Sequence, residues 1–152
     1  MKKTKLFIIF AILLNLTGCS TYSVNKTENK IIIDKININH QYEILSKNGN
    51  IKEISMFEEC GRPNEENTNV VIGAHSGTGK YALFNEISKL KPNDEIIIYY
   101  NNKKYIYIVE EIKEVKDTDI SILDNKDKPI LTLLTCKIND NSKRIVVISN
   151  KR

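Results

Sequence analysis

From Ile31 onward the chain runs in short apolar stretches of β-branched and aromatic residues parted by polar ones, a strand pattern rather than a helical one. It predicts strands over Lys30–Asp34, Tyr42–Leu45, Lys52–Met56, Asn69–Ala74, Glu95–Tyr100, Lys104–Glu111, Ile130–Thr135 and Arg144–Ser149. Asn101-Asn102 separates two of these as a tight hairpin, because asparagine tolerates a positive φ. One segment breaks the pattern. In Lys80–Leu90 the residues Leu83, Phe84, Ile87 and Leu90 share one helical face, and Pro92 ends the helix by disfavouring the α conformation at Lys91. A shorter helical turn is expected through Asp117–Leu123. Eight short strands with one or two short helices predict a mainly β fold, a closed or nearly closed eight-stranded β-barrel over residues 31–152.

The N-terminus follows another pattern. Lys2, Lys3 and Lys5 precede an unbroken apolar run from Leu6 to Leu14. That is a signal-peptide layout, shorter than the roughly 20 residues a membrane span requires. The run ends in Leu16-Thr17-Gly18-Cys19, which resembles the lipobox of bacterial lipoproteins. The resemblance implies cleavage after residue 18, a diacylglyceryl group on Cys19, and residues 19–30 as a lipid-anchored linker. Two acyl chains anchor stably where one binds only reversibly. The alternative is an uncleaved N-terminal anchor. Both place the folded part on the extracellular face of the cell membrane.

Composition changes this picture little. The chain has 152 residues, 41% hydrophobic and 28% charged, enough for one domain with a real core. Its net charge of +4 resides largely in the leader, since the residues after position 18 carry 20 basic against 19 acidic side chains. Without a broad basic field, nucleic acid is excluded as a partner. The three cysteines, at positions 19, 60 and 136, have neither the number of a disulfide scaffold nor the spacing of a zinc site.

The candidate chemistry lies at strand ends, where a rigid element holds a side chain that a loop leaves accessible. His75 follows the apolar run Val70–Ala74, and Cys136 follows Ile130–Thr135. If Ile130–Thr135 and Arg144–Ser149 form an antiparallel hairpin, Arg144 lies beside Cys136, because paired strands sit about 4.8 Å apart. Arginine is sparse here, three against 20 lysines. Its guanidinium offers a rigid fork of donors suited to an oxyanion. Together the three predict covalent catalysis on an amide: Cys136 attacks, Arg144 holds the oxyanion, and His75 moves the protons. Bringing His75 to Cys136 requires their two strands to be parallel neighbours.

These residues are similar to those of the sortases, cysteine transpeptidases of Gram-positive cell surfaces. Thr132-Leu133-Leu134-Thr135-Cys136 fits the T-L-x-T-C signature, and Arg144-Ile145-Val146-Val147 fits the Arg-x-Val-Val strand that follows it. Asn69–His75 resembles the segment bearing the family histidine, with Gly73-Ala74-His75 where the family places Gly next to His. The resemblance spans Ile31 to Ser149. It implies an eight-stranded sortase barrel that cleaves an LPXTG-type sorting signal between Thr and Gly. The acyl group then passes to an amine, from a cell-wall precursor such as lipid II or from a pilin lysine. The short Val115–Ile130 segment is unlike class B. The lack of an obvious lid or of a second apolar segment argues against class C, leaving class A or D as the nearer likeness. A lipobox is unusual for the family.

No cofactor is expected. Some class A members bind calcium near these loops; Glu58, Glu59, Glu65 and Glu66 offer carboxylates, but Asn125 stands where those members carry an acid. Cys60 and His40 read as bystanders, and Arg62 and Arg152 have no nameable partner. Gly73–Lys80 is not a phosphate loop, since five residues separate its glycines and Tyr81 stands where Ser or Thr belongs. Two other functions remain in competition: a cysteine hydrolase with water as acceptor, and a lipid-anchored barrel that binds peptide or glycan without catalysis.

Overall fold

A computed structural model describes residues 27–152, so the expected signal peptide, Cys19 and the linker through residue 26 lie outside the described residues. The described residues form nine strands: β1 (Lys30–Ile33), β2 (Ile38–Gln41), β3 (Glu43–Leu45), β4 (Ser55–Phe57), β5 (Asn69–Gly73), β6 (Glu95–Tyr100), β7 (Lys103–Lys116), β8 (Ile130–Lys137) and β9 (Asp140–Lys151). They make one sheet in the order β2-β1-β6-β7-β9-β8-β5-β4-β3. The two edge strands, β2 and β3, are consecutive in the chain with only Tyr42 between them. The sheet therefore curls until its edges meet, giving a nearly closed barrel. Its interior is filled by Ile31, Ile33, Val70, Ile72, Ile96, Ile98, Leu131, Leu133 and Val147, among others.

Three expectations are corrected. The described residues form nine strands, not eight, because β2 pairs along β1 from Ile33↔Ile38 to Lys30↔Gln41. Its sequence, Ile-Asn-His-Gln, has a single apolar residue, and the reversal before it depends on Asn37 at a left-handed φ of 56°. The β4 strand covers Ser55–Phe57 and not Lys52–Met56. Finally, Lys80–Leu90 is no α-helix: it is a series of turns closing in a 3-10 helix over Ile87–Lys89. Phe84, Ile87 and Leu90 recur every third residue, the 3-10 period. Asn85 bonds across the loop to Gly77, accepting from its amide at 2.7 Å and donating to its carbonyl at 3.0 Å, a side-chain competition that suits turns over helix. The Asp117–Leu123 turn is also 3-10, over Ile120–Leu123.

The hairpin between β6 and β7 forms as expected, with Asn101 and Asn102 at φ 50° and 63°. Strand β7 continues well past Glu111, because a bulge between Val109 and Glu111 shifts the alternation by one residue and lets Ile112 face the core again.

Candidate active site

The three residues singled out from the sequence lie on or just beyond three adjacent strands, Cys136 on β8, Arg144 on β9 and His75 two residues past the end of β5. β8 and β9 are antiparallel, with Cys136 directly opposite Arg144. β5 and β8 are parallel, in a register from Asn69↔Ile130 to Gly73↔Leu134, extended by a bond from the Ala74 amide to the Leu134 carbonyl at 3.3 Å. Continued two residues, that register sets His75 level with Cys136. Directly paired residues project to the same face of a sheet, and successive residues alternate. Leu131, Leu133, Val70, Ile72, Ala74 and Val147 all face the core, so Cys136, His75 and Arg144 share the opposite, outer face. The cross-strand row His75–Cys136–Arg144 is the centre of the site.

Each member is held differently. The exposed His75 ring donates from Nε2 to the Ile51 carbonyl at 2.8 Å. A carbonyl can only accept, so this nitrogen bears the proton and Nδ1 carries the lone pair of the neutral ring. Arg144 is half-buried; its Nη1 donates to the carbonyls of Asn141 at 2.8 Å and Lys143 at 3.0 Å, anchoring the guanidinium to the first residues of β9. Among the described residues no carboxylate pairs with it, leaving Nε and Nη2 available to a ligand. Cys136 is half-buried and free. It opens on a cavity of about 240 Å³ whose lining includes Ser76, Asn85, Glu114, Lys137 and Ile138. There the Lys137 ammonium, 2.8 Å from Glu114, holds that carboxyl below the usual carboxylate range. A larger cavity, about 400 Å³ between Tyr42, Lys52 and Tyr81, does not include Cys136 in its lining.

On the same outer face, Gly73 leaves room where a Cβ would stand 3.1 Å from the Phe57 ring and 3.3 Å from Ile51. Chain order alone did not point to Asn69, which is fully buried. It accepts from the Thr132 hydroxyl at 2.8 Å and donates to the Ile122 and Asp124 carbonyls at 2.8 and 3.2 Å, while its amide donates to Asn125 at 3.1 Å. The loop between β7 and β8 is thereby fastened to the start of β5, at the opposite end of the strand from His75. A buried amide opening an otherwise apolar strand was the available signal.

The remaining candidates lie elsewhere. Cys60 is a free thiol in the loop after β4, where burial, and secondarily Glu59, push it up. Arg62 clamps that loop by donating to the carbonyls of Phe57, Glu58 and Cys60 at 3.2, 2.9 and 2.8 Å. Arg152 pairs with Glu95 at 3.3 Å, and His40 lies 3.7 Å from Glu53. Of the carboxylates weighed for calcium, Glu59 pairs with Lys47 at 3.1 Å and Glu65 accepts the Arg62 amide at 2.9 Å. Among the described residues no three His, Cys, Asp or Glu side chains gather as a metal would require.

A family profile described as a Sortase domain matches residues 23–152. The chain is 36% identical over 80 residues to Sortase A of Bacillus anthracis, covering 52% of this chain and 38% of that protein. It is 32% identical over 81 residues to Sortase A of Listeria monocytogenes, covering 53% of this chain and 36% of that one. These matches thus span well under half the length of either relative. Sortase C from Clostridium perfringens, solved with the C-terminal cell wall sorting motif, superposes at a TM-score of 0.73 and 30% identity, covering 84% of this chain and 71% of that one. Sortase A from Corynebacterium diphtheriae, at a TM-score of 0.74 and 22% identity, covers 84% of this chain and 61% of its own, a likeness of fold alone. With the family profile running through every described strand and the same barrel in solved members, the chain belongs to the sortase family.

Proposed function

We propose that this protein is a sorting transpeptidase working through a thioacyl intermediate on Cys136. The Cys136 sulfur attacks the carbonyl carbon between Thr and Gly of an LPXTG-type signal, and its proton passes to His75. Arg144 donates to the oxygen that gains negative charge. The C–N bond breaks as the His75 imidazolium protonates the departing glycine amine. An acceptor amine then attacks the thioester carbon and gives a proton to His75; the C–S bond breaks, releasing the new amide, and the His75 imidazolium returns the proton to the Cys136 sulfur. The observation that carries this reading is the level row of His75, Cys136 and Arg144 on the outer face of β5, β8 and β9.

The substrate class draws support from the Clostridium perfringens relative, whose structure holds a sorting motif. The acceptor is an amine of a cell-wall precursor such as lipid II or of a pilin. Class A or D is the nearer likeness, in keeping with the two Sortase A relatives. The lipobox-like Leu16–Cys19 supports lipidation of Cys19, which would hold the enzyme at the extracellular face of the membrane.

Product analysis tests the reading. Wild-type protein given an LPXTG peptide and a primary amine is expected to yield the Thr–amine adduct, and Cys136→Ala nothing. His75→Ala is expected to lose about a hundredfold or more. Cleavage with water as sole acceptor would make the protein a hydrolase. Undiminished turnover in Cys136→Ala would refute covalent catalysis, and binding without any turnover would leave only a peptide-binding barrel.

A further inference from the structure

The backbone ladder between β5 and β8 stops just short of the reactive residues. Its last rung runs from the Ala74 amide to the Leu134 carbonyl. In a continuing parallel ladder the Ala74 carbonyl would next accept the Cys136 amide. It accepts instead the Thr135 hydroxyl, at 2.8 Å, from a side chain only 4% exposed. One residue further on, the Ser76 hydroxyl donates to the Cys136 carbonyl. The two bonds cross the same gap in opposite senses. Thr135, immediately before the thiol, reaches the residue before His75; Ser76, immediately after His75, reaches Cys136 itself. His75 and Cys136 are thus enclosed between two side-chain bridges, in a place where no backbone rung sets their spacing.

We propose that Thr135 and Ser76 are positioning residues, a pair of hydroxyl bridges that hold Cys136 and His75 at their working separation; this rests on the sortase reading above. Neither hydroxyl needs to touch substrate. A backbone rung imposes the fixed strand repeat, whereas a hydroxyl bridge sets a spacing by the reach of its own side chain. Misplacing reacting groups by about 1 Å can cost a hundredfold in rate, so two weak bonds here govern turnover more than stability. The competing explanation is that the hydroxyls merely satisfy two strand-end carbonyls.

The test uses the full chain with Thr135→Val, Thr135→Ser, Ser76→Ala and Ser76→Thr. It measures kcat and KM separately with an LPXTG peptide, together with the pH profile of Cys136 alkylation by iodoacetamide. Thr135→Val and Ser76→Ala are expected to lose about ten- to a hundredfold in kcat with KM changed less than about threefold, and the hydroxyl-retaining variants to recover most of it. The alkylation profile should shift only in the variants that lack a hydroxyl. Unchanged kcat and profile in Thr135→Val and Ser76→Ala, whatever happens to Tm, would overturn the proposal. So would a Thr135→Ser variant as impaired as Thr135→Val. If Thr135→Val fails to fold, the half-buried Ser76 carries the decision alone. If wild-type protein transfers nothing, the proposed function fails, and the alkylation profiles still decide whether the bridges position Cys136.

Discussion

The two described cysteines show how far the surroundings decide what a thiol does. Cys60 sits with Leu45, Phe57 and Leu123 around a cavity of about 310 Å³, and its burial, reinforced by the Glu59 carboxylate and partly opposed by Arg62, favours the protonated thiol. Only the thiolate is nucleophilic. Cys60 is therefore expected to alkylate slowly at neutral pH, its rate climbing only once pH passes the ordinary thiol value of about 8.5. Peptide-level mass spectrometry would follow each cysteine separately, and labelling of Cys60 as fast as Cys136 at pH 7 would contradict this. The residues of the row were legible in the sequence because each borders an apolar run, although Cys136 and Arg144 lie within β8 and β9, which extend past those runs toward their shared turn. Arg62 was not legible, because its partners are carbonyls of its own loop. Nor were the Ser76 and Thr135 bridges, which join residues 60 apart or more and depend on where a ladder happens to stop.

Among the elements, the loop between β7 and β8 depends most on one side chain. Asn69 reaches Thr132 on one side and the carbonyls of Ile122 and Asp124 on the other. Asn69→Ala would strand those groups in a buried setting, at a cost of about 1–3 kcal/mol. Thermal unfolding should report the loss, with kcat changed little, because Asn69 opens β5 at the end remote from the reacting row. Wild-type stability would show that the clamp is dispensable. The elements also mark the limits of periodicity. Strands with β-branched runs, such as β5, β6 and β8, were readable to within a residue or two. The stretch Lys80–Leu90 was not, because apolar residues spaced three or four apart fit a 3-10 turn and an α-helix alike, and Asn85 settled the matter through a tertiary bond. Strand β2 is mostly polar and exists because β1 lies beside it.

At the scale of the molecule, the barrel explains how residues 61 and 69 positions apart come together. The β5–β8 pairing is parallel and distant in sequence, whereas β8–β9 is a local hairpin. The hairpin, and with it the neighbourhood of Cys136 and Arg144, follows from the sequence pattern. The arrival of His75 depends instead on the parallel β5–β8 pairing, which joins strands far apart in the chain as neighbours in the sheet. The mainly β barrel was therefore readable, while the strand order was not. The central claim is that the His75–Cys136–Arg144 row makes Cys136 an acyl carrier. The most direct measurement is the intact mass of the protein mixed with an LPXTG peptide in the absence of amine, quenched in acid and mapped to peptides. An adduct equal to the peptide through its Thr, on the peptide containing Cys136 and discharged by added amine, is the expected result. Peptide cleavage with no such adduct, or with the adduct on another residue, would contradict it.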